Sequence, residues 1–133
     1  METTPHEKYG YSRPVSLTFE QALERIRATL KDQGFGVLTE IDIQKALREK
    51  LGVEFPRYLI LGACNPQLAH QALQFDLDIG LLLPCNVVIR ESDGRVEVAV
   101  VDARRMLSVV GDERLTPIAE QANERLRRAV DAV

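Results

Sequence analysis

An Asp-Gly pair set between two β-branched runs, Asn86 to Arg90 and Arg95 to Val101, constrains this chain more than any other feature. Asp-Gly accepts the positive φ angles of the tight turn whose twist matches two antiparallel strands. Ser92-Asp93-Gly94 therefore predicts a hairpin. In its second strand Val96, Val98 and Val100 point one way and Glu97 the other.

Helical periodicity surrounds this hairpin. Thr18 and Gln21 have the spacing of a capping box, and Phe19, Ala22, Leu23, Ile26 and Leu30 make one apolar stripe that Gly34 closes. Gly36 to Ile41 reads as a strand. Asp42 caps a shorter helix with Ile43, Ala46, Leu47 and Leu51 on one face, ended by Gly52. Tyr58 to Ala63 is a nearly continuous apolar run, as in a strand that is central or buried on both faces. Asn65-Pro66 opens the next helix, because Asn caps well and Pro at the first position removes only an amide without a helical partner.

Ile79 to Leu83 reads as a further strand region broken by Pro84, and Thr116-Pro117 caps a last helix striped by Ile118, Ala122, Leu126, Ala129, Val130 and Val133. Val15 to Leu17 reads as a short first strand after a loose arm over residues 1–13. The order β-α-β-α-β-α, then hairpin, then helix, predicts one α+β domain over residues 1–133. Its expected architecture has two layers, with helices on one face of a mixed, mainly antiparallel sheet.

Composition narrows the function classes. Charged residues are 28% of the 133 and the formal net charge is −3, which argues against a general binder of phosphate backbones. Arg104, Arg105, Arg125, Arg127 and Arg128 are interleaved with acidic neighbours and read as solvated helix faces. The chain has no tryptophan and few aromatics, which argues against base-stacking platforms. No apolar run approaches the ~20 residues of a membrane span, and the polar start has no signal-like core. A cytoplasmic location is expected. Two cysteines without a C-x-x-C pair exclude a disulfide scaffold and the common zinc ribbons.

Chemistry concentrates in two Cys-Asn segments, Gly62-Ala63-Cys64-Asn65-Pro66 and Leu83-Pro84-Cys85-Asn86-Val87. The first lies where a strand hands over to a helix start. Small residues there admit a close approach, and free amides with the helix dipole favour negative charge. Such a place can lower a thiol pKa. Cys64, Asn65, Cys85 and Asn86 are thus candidate ligand-binding residues, with Glu40 added as a partner base. The plainer reading competes at each position: cysteine is among the most buried residue types, and Asn65 is explained as a cap. His70 falls towards solvent beside the buried face of its helix. Together with the two thiols it could make a soft-metal site, but the spacing matches no standard ligand pattern. Asp76, Asp78 and Asp102 read as loop and capping residues.

Three segments in order carry a family resemblance: Gly34 to Asp42, the GACNP at Gly62 to Pro66 and the GLLLPCNVV at Gly80 to Val88. The chain resembles the bacterial and archaeal family catalogued as domain of unknown function 302, from about Val15 to the last helix. The resemblance implies a compact α+β domain and carries no established activity. Its recurring segments map onto Gly36, Glu40, Asp42, Cys64, Asn65, Pro66, Pro84, Cys85 and Asn86.

Four functions remain in order of support. The first is a small-molecule or anion-binding module at the Cys-Asn segments. A thiol-dependent enzyme or redox protein using Cys64, with His70 or Glu40 as base, is second. A copper or zinc handler is third. The last is an assembly role, as a homodimer joined through a sheet edge or the C-terminal helix. The residues name no cofactor.

Overall fold

Five strands pair in the order β1-β5-β4-β3-β2, antiparallel throughout, in a computed structural model that describes residues 9–133. They are β1 (Gly10–Val15), β2 (Gly36–Asp42), β3 (Tyr58–Cys64), β4 (Cys85–Ser92) and β5 (Arg95–Val101). The helices are α1 (Phe19–Asp32), α2 (Ile43–Leu51), α3 (Pro66–Phe75), α4 (Ala103–Ser108) and α5 (Thr116–Asp131). The α+β expectation holds, and the sheet is antiparallel rather than mixed.

The hairpin sets the register of β4 against β5. Asp93 and Gly94 take φ of 53° and 75°, as a two-residue turn of this hand requires, so Ser92 pairs with Arg95, Arg90 with Glu97 and Val88 with Ala99. Alternation then sorts the side chains. Leu59, Leu61 and Ala63 of β3, Val87 and Ile89 of β4, and Val96, Val98 and Val100 of β5 lie on one face and are all buried. Helices α1 and α5 cover that face with Ile26, Leu30, Leu126 and Val130, none of them exposed to solvent. Burying one such aliphatic side chain contributes about 1.5–3 kcal/mol, so this layer dominates the stability of the fold.

Local caps form as the sequence predicts. Thr18 and Gln21 exchange both capping-box hydrogen bonds, and Asp42 Oδ1 accepts from the Lys45 amide. Gly34 and Gly52 adopt positive φ.

Elsewhere the structure corrects the sequence reading. β1 occupies Gly10–Val15, so the strand lies earlier than Val15 to Leu17 and takes in part of the expected arm; residues 1–8 of that arm lie outside the described residues. Long-range pairing with β5, which local pattern does not reveal, holds this strand. The apolar run from Ile79 becomes a 3-10 turn over Leu77–Leu82, started by Asp76 Oδ1 accepting from the Asp78 amide. Thr116 lies inside α5 instead of capping it, because a short turn over Glu113–Leu115 leads directly into the helix. The helix α4 is an addition, capped by Asp102, whose Oδ1 accepts from the amides of Arg104 and Arg105. Of the two readings of β3, the central one holds: it lies between β4 and β2, its helix side is buried, and Tyr58 and Ile60 on its other face are half-buried.

Candidate functional site

The two Cys-Asn segments meet at the end of β3 and the start of β4, where Ala63 pairs with Cys85. Cys64, Asn65 and Cys85 line one small cavity of about 30 Å³, closed by Leu68 of α3, Met106 of α4 and Ile118 of α5. That volume holds a water or two and no larger molecule. The lining is apolar, and the polar end of Asn65 faces its own chain. Asn65 Oδ1 accepts from the Leu68 amide at 3.1 Å, and its Nδ2 lies 3.0 Å from where a Cβ on Gly34 would stand. The cap and the Gly34 turn therefore fit one another, and any side chain at Gly34 would push Asn65 away.

Burial sets the thiol chemistry at this end. Burial pushes the Cys85 thiol up to about 11, with a further contribution from nearby Cys64, and burial also raises Cys64. This overturns the expectation of a lowered pKa at the helix start: desolvation of the thiolate outweighs the helix dipole. Both cysteines are neutral near pH 7.

Gly62 does not leave room for a ligand. A Cβ there would stand 2.2 Å from Thr39 Oγ1 and 2.7 Å from Pro84 Cγ, so the chain's own side chains fill the space beside it. Glu40 is elsewhere, on edge strand β2, paired with Arg27 of α1. His70 is exposed and shares a 3.0 Å hydrogen bond with Gln74. Among the described residues no three His, Cys, Asp or Glu side chains are grouped to hold a metal ion. Nor is any helix among them long and apolar enough to cross a membrane.

Asn86 is separated from Cys85 by the pleat. It is exposed on the face of the sheet opposite α1 and α5. There a groove of about 400 Å³ runs over β4 and β5, lined by Tyr58, Asn86, Val88, Arg90, Ala99 and Val101. Its apolar floor is Val88, Ala99 and Val101. Arg90 donates from Nη2 to Glu97 Oε1 at 2.6 Å, so this cation and anion neutralise one another on the groove's flank. The groove and its residues other than Asn86 escaped the sequence reading. The signal was present: a two-residue turn at Asp93-Gly94 forces Arg90 opposite Glu97 and Val88 opposite Ala99, all on the face that the valines of β5 leave.

Comparison with known proteins agrees with the fold. No curated protein matches the chain. A crystal structure of an uncharacterised conserved DUF302 protein from Bacillus stearothermophilus superposes with a TM-score of 0.87 at 31% identity, over 92% of this chain and 96% of that one. The family model described as Domain of unknown function DUF302 matches residues 11–133. On that match and that likeness, the chain belongs to the DUF302 family.

Proposed function

We propose that this domain is a small-molecule-binding module and that its binding surface is the groove on the open face of the sheet. The groove's apolar floor together with its size carries the reading, since hollows of similar or larger size along α1 and beside the β1–α1 turn have a more polar lining. Ligand sites of ordinary small molecules occupy about 300–1,000 Å³, mostly apolar with a few placed polar groups. The groove, at about 400 Å³, falls in that range, and the cavity beside Cys64 and Cys85, at about 30 Å³, does not. Asn86 thus keeps a ligand-binding role, while Cys64, Asn65, Cys85 and Glu40 serve the fold around it.

The groove's chemistry defines the ligand class. Val88, Ala99 and Val101 offer a flat apolar floor, and Tyr58, Asn86 and Arg90 offer a phenol, a carboxamide and the outer edge of a guanidinium. Because Glu97 already neutralises Arg90, an uncharged ligand fits better than an anion. The favoured molecule is flat, largely apolar, and bears a carbonyl or hydroxyl group. A thiol-enzyme reading lacks support, since both thiols are held protonated.

The test is a titration of ¹⁵N-labelled protein with a fragment set of uncharged aromatic carbonyls and phenols. Saturable shifts at Asn86, Val88 and Ala99 are expected, weakened in Asn86→Ala. Saturable shifts confined to Cys64, Asn65 and Cys85 would return the site to the cysteine end. No saturable shift from any fragment would overturn the reading.

A further inference from the structure

The open face is organised in rows that the strand register defines. Its middle row crosses all five strands as Ser12, Ala99, Val88, Ile60 and Ile41. Apart from Ser12 on edge strand β1, which is only 4% exposed, it is apolar, and Ile41 at the far end is 48% exposed. The row on one side holds the ion pair Glu97–Arg90 and then Tyr58; the row on the other holds Val101, Asn86 and Gly62. An apolar band with an ion pair and a phenol on one side and a carboxamide on the other resembles the anatomy of an interface, a dry centre with polar groups at its margin.

We infer that a second copy of this chain packs on the open face, stacking sheet on sheet about a two-fold axis along the middle row. Three properties of the face select a second copy. The first is complementarity with itself. Val88 lies midway between Asn86 and Arg90 on β4, so a two-fold along its row sets Arg90 of one copy over Asn86 of the other. A guanidinium donor then meets a carboxamide acceptor, and no like charges face each other. The second is area. Ser12 of β1 is already buried, so four strands about 4.8 Å apart and three rows about 6.8 Å apart give a flat footprint of roughly 400 Å². Side-chain relief and the neighbouring exposed Phe55, in edge-to-face contact with Tyr58, extend it towards the ~800 Å² per partner of a standard interface.

The third is that the C-terminal helix and the two sheet edges are poor routes to a dimer. The apolar stripe of α5 is already buried under its own sheet. The β1 edge contains Pro14, and the β2 edge is bulged between Val37 and Thr39, both devices that discourage edge pairing. The inference goes beyond the proposed function: the second copy and a ligand engage the same Asn86, Val88, Arg90 and Ala99, so the two compete for the groove.

Sedimentation equilibrium from roughly 1 µM to 1 mM, a range spanning weak to moderate affinities, tests the packing without any ligand. The wild-type chain is expected to reach twice its 14.9 kDa mass. Val88→Glu, at a half-buried position, is expected to weaken association at least about tenfold with its circular dichroism unchanged. Leu38→Glu, on the β2 edge, is expected to leave it intact. Should Val88→Glu misfold, filtered NOEs in a mixed labelled and unlabelled wild-type sample decide, with contacts between Val88 and Ala99 methyls of different copies expected. A monomer across the whole range overturns the inference, as does a dimer broken by Leu38→Glu but not by Val88→Glu. Dimerisation through this face without fragment shifts would sustain the packing and sink the ligand reading; fragment shifts on a monomer would do the reverse.

Discussion

The two faces of one sheet, built from the same strands, have been given different work. On the covered face Leu61, Val87, Ile89 and Val98 have no solvent exposure and pack against α1 and α5. On the other, Ile60, Val88 and Ala99 stand half-exposed beside an ion pair, and neither α1 nor α5 reaches them. A single strand supplies both, residue by alternate residue. Stability is concentrated on the first face, so the second was free to keep a groove, a carboxamide and a phenol. The difference teaches where to look for function: among side chains the fold itself does not need.

The comparison breaks most severely if neighbouring residues of β3 prove equally costly to truncate. Leu61→Ala, on the covered face, is expected to cost about 3 kcal/mol, and Ile60→Ala, on the open face, about 1 kcal/mol or less, read by urea denaturation of each variant. Equal losses would mean that the open face is part of the core. Gly62→Ala sharpens the contrast at a place where the open face is filled by its own chain. The new methyl would collide with Thr39 and Pro84, with an expected loss of up to about 3 kcal/mol, partly restored by adding Thr39→Ala.

Cys85 gives a pH-dependent version of the same contrast. Its thiol ionises at about 11 in the fold against 9.0 for a free thiol, so the unfolded chain releases its proton first as pH rises. The protonated thiol's contribution is complete below pH 9 and is lost between about 9 and 11, on the order of 3 kcal/mol. Stability of the wild type should fall through that window more steeply than that of Cys85→Ala, whose remaining slope reports other groups such as Tyr11. Parallel curves would mean that Cys85 is open to water. The smallest effect belongs to the open face: a double-mutant cycle on Arg90 and Glu97 should yield a coupling of about 1 kcal/mol or less, as for a part-exposed pair. A coupling of several kcal/mol would place the pair in a dry setting even in the monomer.

What was legible in the sequence was local. The Thr18–Gln21 box, the Asp42 and Asn65 caps and the Asp93-Gly94 turn each depend on residues within four positions, and all formed. The strand β1 was not legible in place because it is held by β5, some 85 residues away, and because Arg13 and Pro14 interrupt its pattern. The run at Leu77–Leu82 misled because apolar content alone does not distinguish a strand from a turn of helix. At the site, adjacency brought Cys64, Asn65 and Cys85 together as strand ends suggest, but the same pleat that buries Cys85 sends Asn86 to the opposite face. Glu40 went with Arg27 because β2 is an edge strand beside α1.

Methyl relaxation with a soluble paramagnetic agent, recorded on dilute and concentrated protein, tests most directly whether the open face is a working surface. Val98 methyls should be protected at both concentrations. Val88 and Ile60 methyls should relax fast when dilute and become protected when concentrated, as the second copy covers them. If Val88 remains exposed at both concentrations, the face has no partner copy; if it is protected at both, the chain already covers it, and the division of labour between the two faces is wrong.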